Sequence, residues 1–210
     1  MYLLAECAFL SLMFSLYWLC RQRRRYLIRR IGKRAFDNVY HVGRNIFFML
    51  RRYTLEISGD TSALSRGCIL YSFHFGVWEL MPPTLAKMGY RLGIIVNRNS
   101  ETNGPIIGKL FDTLLHRWRS MIGVTVFYKE NTLEIVRFLK SGGIFGILVD
   151  GDTMFQKFPK TQKLARLCRV PLIPFAAYRR AGKGVLDVGC DLPDLVGTMP
   201  NEYMWFYKSR

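Results

Sequence analysis

The strongest constraint on the fold is an alternation that begins at residue 54. Short apolar runs, each long enough for one strand, are separated by helical patterns. TLEISG (54–59), CILYSF (68–73), RLGIIV (91–96), GVTVFY (123–128), GIFGILVD (143–150), VPLIPFAAYR (170–179) and VLDVGC (185–190) read as strands. Helices are predicted from about Gly76 to Met88, over 105–119 with Pro105 in the first turn, over 131–143 and over 160–168. In the third of these, Asn131 stands as N-cap and Glu134 at the capping-box position. Upstream, residues 35–53 carry Phe36, Val39, Tyr40, Ile46, Phe47 and Leu50 on one broad helical face. Strands alternating with helices predict an α/β fold: a mostly parallel or mixed central sheet with helices on both faces. In such sheets ligands bind outside the carboxyl ends of the strands. Residues that directly follow a strand are therefore the first candidates for chemistry.

The 210 residues suffice for one buried core and are too few for two ordinary domains with a linker. Lys and Arg number 31 against 15 acids, a net charge of +16. Half the residues are apolar and 14% aromatic, which excludes a disordered polycation. The charge then calls for nucleic acid, anionic lipid or an acidic protein as partner. The N-terminus favours lipid. Residues 2–20 (YLLAECAFLSLMFSLYWLC) contain one charge, Glu6, and as a helix reach about 28 Å, near the ~30 Å hydrocarbon core. Tyr17 and Trp18 stand at the inner end, where amphipathic rings prefer the headgroup level. Arg21, Arg23, Arg24, Arg25, Arg29, Arg30, Lys33 and Arg34 follow with no acid between them. A cleaved signal peptide has its positive charge before the apolar run; here it comes after. The positive-inside rule places the chain from residue 21 onward in the cytoplasm. This divides the sequence into a membrane-anchor helix, 1–21, and a cytoplasmic α/β domain, 22–210. An amphipathic or core helix of a soluble protein is the other reading of the same run. No two of the five cysteines form a C-x-x-C pair, so reduced thiols are expected rather than a disulfide scaffold or a zinc site.

Three sets of residues can do chemistry. The first is H-F-G-V-W-E, His74 to Glu79, where a strand ends, Gly76 permits a sharp turn, and Glu79 falls in the next helix's first turns. A carboxylate there can reach one imidazole nitrogen and leave the other facing the cleft as a base. A buried, satisfied core histidine is the alternative role of His74. The second set is Asp150 and Asp152 in L-V-D-G-D, again at a strand end, where a turn or helix N-cap also uses aspartate. The third is basic: Asn97-Arg98 after the strand 91–96, able to meet an anionic substrate, with Arg117 and Arg119 at a helix end, where a cation also serves the helix dipole. His41 and His116 read as surface residues. The chain contains no G-x-x-x-x-G-K-[ST], G-x-G-x-x-G or G-x-S-x-G, which removes support for nucleotide hydrolysis, dinucleotide binding and hydrolase-type serine catalysis.

Taken together, the ordered set resembles the late acyltransferases of bacterial lipid A biosynthesis, the lauroyl/myristoyl transferases. The set comprises an apolar anchor, H-x4-E after a strand, Arg119-x3-Gly123, a strand ending in D-x-D, KLARLCRVPLIPF, and the closing PNEYMWFYKSR. The resemblance runs from about residue 22 to the end. It implies transfer of a fatty acyl chain from an acyl carrier protein thioester to a hydroxyl of a lipid A precursor. The acyl thioester would be the co-substrate, no cofactor would be needed, and the domain would lie at the cytoplasmic face of the bacterial inner membrane. It further implies His74 as general base partnered by Glu79, with Arg119 and Asp150 as the essential arginine and aspartate and Arg117 as the nearby alternative. On this reading Arg119 stabilises the oxyanion or grips a substrate phosphate, and Asp150 holds Arg119 or the loop. Asn97, Arg98, Arg117 and Asp152 are the expected substrate contacts. The chain is shorter than usual members of that family. Its stretch after Asp152 is abbreviated, and the helix before the closing segment is reduced to DLPDLVGT. The alternatives are an acyltransferase acting on another anionic lipid (a glycerophospholipid or a phosphatidylinositol mannoside) or a catalytically silent relative.

Overall fold

The computed structural model describes residues 5, 7–12, 15, 34–51, 54–97, 109, 112–113, 116–117, 119–120, 122–150 and 158–203. Tyr17, Trp18, the basic residues between Arg21 and Lys33, Arg98 and Asp152 lie outside them. The elements are α1 (Arg34–Arg51), β1 (Glu56–Gly59), β2 (Cys68–Ser72), α2 (Met81–Lys87), β3 (Leu92–Ile95), β4 (Val124–Phe127), α3 (Thr132–Lys140), β5 (Ile144–Leu148), α4 (Pro159–Cys168), β6 (Leu172–Arg180), β7 (Lys183–Val188) and α5 (Leu192–Thr198). The strands form one sheet in the order β1-β7-β6-β2-β5-β3-β4. Strands β6, β2, β5, β3 and β4 run parallel; β7 returns antiparallel to β6, and β1 is parallel to β7. The fold is thus α/β on a mixed sheet, as the alternation predicts.

The period-2 exposure of strand side chains divides the core. Cys68 and Leu70 of β2 pack on one face with Met81 and Leu85 of α2, and with Phe48 and Met49 of α1. Ile69 packs on the other face with Ile135 and Leu139 of α3 and Ala165 and Cys168 of α4. A third cluster joins Phe73, Phe75, Ala176 and Tyr178 to Leu192 and Val196 of α5 and to Tyr203. Burial pushes the Cys68 thiol up to about 12, so this thiol belongs to the packing and stays protonated at neutral pH.

Several expectations are corrected. Helix α1 turns Val42 and Asn45 inward, while Tyr40, placed on the apolar face by periodicity, is 39% exposed. Asn131 stands at the start of α3, but its side chain does not cap that helix. Its Oδ1 instead accepts from the Tyr128 N–H, and its own N–H goes to Tyr128 O, so no capping box forms. The DLPDLVGT stretch is a true helix: the Asp191 carboxylate accepts from Asp194 N–H and proline occupies the first turn. Near the N-terminus, helical residues lie against α1, with the Phe9 and Phe47 rings 5.6 Å apart. Among the described residues no helix is long and apolar enough to cross a membrane.

Candidate active site

Strand β2 lies in the sheet interior, flanked by β5 and β6. Its register sets Ser72 opposite Leu148 of β5. One more ladder bond, Val149 N–H to Ser72 O at 2.9 Å, carries the pairing past the strand ends. Two residues beyond each end, His74 and Asp150 meet. The Asp150 carboxylate accepts twice: Oδ2 from the His74 backbone N–H at 2.7 Å, and Oδ1 from the His74 Nδ1–H at 2.8 Å. Its side chain has no exposure, whereas that of His74 is 30% exposed. A buried carboxylate needs such donors. A carboxylate only accepts, so it keeps the proton on Nδ1 and leaves the lone pair of the neutral ring at Nε2.

The chain turns sharply to present this ring. Phe75 N–H donates to Phe73 O at 2.8 Å, which makes His74 the middle of a γ-turn. Gly76 follows at φ +59° and lies so close to β6 that a Cβ there would sit 2.2 Å from Ala177 O. Val77 N–H donates to that same carbonyl at 2.7 Å, and Gly76 N–H to Glu202 O at 2.8 Å. Only glycine meets both demands, a left-handed backbone and contact with a neighbouring chain segment. Gly76→Ala is therefore expected to lower stability by about 2–5 kcal/mol, from left-handed strain plus overpacking. That corresponds to a Tm roughly 5–15 °C lower. Gly142→Ala is the control, since Gly142 has φ +81° but a Cβ there would meet nothing within 4 Å. Equal melting of the two variants would refute the close-approach argument.

Beyond the turn, the Trp78 ring stands edge-on to His74, with centroids 5.2 Å apart and planes at 71°. Glu79 lies in the 3-10 turn Trp78–Leu80, and Leu80 caps α2. The H-x4-E spacing predicts Glu79 as the partner of the imidazole. Instead Asp150 takes Nδ1, and Glu79 Oε1 accepts from Arg119 Nη2 at 2.7 Å. The reason is local. Glu79 could reach back to the ring only if the turn into the next helix folded it there, but a γ-turn, a left-handed glycine and a 3-10 turn separate these two. Asp150, expected to hold Arg119 or the loop, holds the His74 loop through the backbone N–H and the ring through Nδ1. Glu79, expected on the ring, holds Arg119.

Of the two arginines near the helix end, Arg119 is buried and bonded to Glu79, while Arg117 is exposed. The Arg119 Nε is buried with no hydrogen-bond partner among the described residues. Asn97 is exposed just past β3, at the same carboxyl edge. His116 is exposed as expected. His41 is not a simple surface residue: its Nδ1 is buried and lies 3.7 Å from Glu202 Oε1. Sequence reasoning misses Trp78 as the ring's neighbour. It also misses a second polar cluster of Asn45, Arg179 and Glu202. Of these only Glu202 falls within a motif, the closing PNEYMW segment, and no local spacing links the three.

No protein-family model matches the chain, and no curated protein matches it significantly.

Proposed function

We propose that the chain is an O-acyltransferase that moves a fatty acyl group from an acyl carrier protein thioester to a hydroxyl of a lipid A precursor. The observation that carries this reading is the His74–Asp150 pair at the carboxyl edge of the sheet. A thioester is already activated, so the reaction needs a base for the acceptor hydroxyl and a donor for the oxyanion, and no cofactor. The Nε2 of His74 takes the hydroxyl proton as the oxygen attacks the thioester carbonyl. The tetrahedral oxyanion collapses, the carbon–sulfur bond breaks, and the imidazolium returns the proton to the departing thiolate. General base catalysis of this kind supplies about 10²–10⁴-fold. Arg119 is the cation for the oxyanion or a substrate phosphate, its guanidinium fixed by Glu79. Asp150 is the orienter, in place of the Glu79 that the motif spacing suggests.

On this reading residues 2–20 attach the chain to the inner membrane, with the basic stretch from Arg21 to Arg34 facing cytoplasmic anionic headgroups. Arg98, Arg117, Asn97 and Asp152 remain the proposed substrate contacts. An acidic carrier protein and a phosphorylated glycolipid both suit a surface of charge +16.

The test is an assay of membranes containing the full chain, supplied with labelled acyl carrier protein and either a lipid A precursor or a glycerophospholipid. Label on the lipid A precursor is the expected result. Label on the glycerophospholipid alone would overturn the acceptor assignment, and no transfer to either would overturn the acyltransferase reading.

A further inference from the structure

The hydrogen bonds that shape the His74 turn lead away from the site to a second polar cluster. Gly76 N–H donates to Glu202 O, and Phe75 forms an antiparallel bridge with the fully buried Tyr203. The turn Pro200–Glu202 is thus the floor on which residues 75 and 76 rest. The Glu202 side chain points the other way. Its Oε2 accepts from Asn45 Nδ2 of α1 at 2.6 Å, and the Asn45 Oδ1 accepts from Arg179 Nε of β6 at 2.8 Å. Arg179 Nη2 closes the ring 3.9 Å from Glu202 Oε1. Asn45 is 2% exposed. Both ends of its amide are used, which fixes its orientation.

Three elements distant in sequence therefore meet on the residue whose carbonyl receives the turn. Arg179 stands two residues after Ala177, the β6 position that bridges Gly76 and accepts from Val77. A partly buried polar ring of this kind, centred on the buried Asn45, costs more than an apolar filling unless its members are satisfied, and in return it fixes one geometry.

We propose that Asn45, Arg179 and Glu202 are positioning residues for His74: they set the height of the 75–76 turn and so keep the imidazole seated on Asp150. This rests on reading His74 as the base. It makes α1 part of the working site even though α1 contributes nothing to the reacting atoms.

The test needs no substrate. The chain has three histidines, so the side-chain ¹⁵N signals of His74 can be assigned in the full-length protein in detergent. In the wild type, neutral His74 should be the Nδ1–H tautomer alone. Glu202→Ala should give a mixture with the Nε2–H form, and Asn45→Leu, which keeps the volume but not the hydrogen bonds, should do the same. His41, beside Glu202, should shift in the Glu202 variant and reports that the cluster has been disturbed. Glu202→Gln keeps an acceptor for Asn45 and should restore the pure tautomer. The proposal is overturned if His74 stays wholly Nδ1–H in a folded Asn45→Leu protein, whatever the fate of Glu202→Ala. Absence of acyl transfer in the wild type would count against the proposed function and leave this result standing.

Discussion

Asp150→Asn is expected to slow acyl transfer nearly as much as His74→Ala, by about 10²–10⁴-fold. The Asp150 carboxylate accepts from the His74 backbone N–H through one oxygen and from Nδ1–H through the other. Asparagine has one acceptor and one donor group. If its oxygen keeps the backbone N–H, its amide NH₂ faces Nδ1, which must then accept. The ring proton moves to Nε2, and the base loses its lone pair at the reacting edge. The same isosteric change in a Ser-His-Asp triad costs about 10⁴ through the wrong tautomer. Glu79→Gln is the contrast: it weakens the hold on Arg119 and should leave the His74 tautomer as it was. Transfer rates measured beside ¹⁵N side-chain spectra separate the two carboxylates. An Asp150→Asn protein within tenfold of wild-type rate, or a tautomer change in Glu79→Gln instead, would return the orienting role to Glu79.

That contrast marks what is legible in the sequence. The strands fall within a residue or two of their apolar runs, because a buried strand must be an apolar run bounded by turn residues. Asp150 and His74 are both visible as residues just past a strand. Their meeting is not, since it depends on β5 inserting next to β2 rather than on any spacing. Strand order is decided by how helices and side chains fill both faces, a sum over the whole core. The H-x4-E pattern misleads for the opposite reason. It suggests a carboxylate reaching back across a strand-to-helix turn, while the left-handed Gly76 at φ +59° and the 3-10 turn after it leave Glu79 on Arg119. The Asn45–Glu202–Arg179 ring joins α1, β6 and the closing turn, and no window of neighbouring residues contains it.

Glu79→Ala should cost more stability than Arg119→Met, although it removes the smaller side chain. The two partners differ in access to water: the Arg119 side chain is 10% exposed and that of Glu79 27%. Removing Glu79 strands a buried guanidinium whose Nε already has no hydrogen-bond partner among the described residues. Stranding a buried charge costs about 3–5 kcal/mol in full burial, and the partial exposure of the pair brings this to roughly 2–4 kcal/mol. Arg119→Met leaves a carboxylate able to turn toward solvent and fills the vacated space with an apolar chain of similar length. That loss should stay near the ~1 kcal/mol of an ordinary hydrogen bond. By the usual scaling, Glu79→Ala should melt roughly 5–15 °C below the wild type and Arg119→Met only a few degrees below it. Activity should fall about 10²-fold in both, because Glu79 acts only by holding Arg119 and Arg119 is the proposed oxyanion donor. The double variant should be little slower than either single one, since the pair works as a unit. Arg119→Met melting below Glu79→Ala would show that the arginine is stabilised by something other than Glu79. Multiplying rate losses in the double variant would show that the two side chains serve the reaction separately.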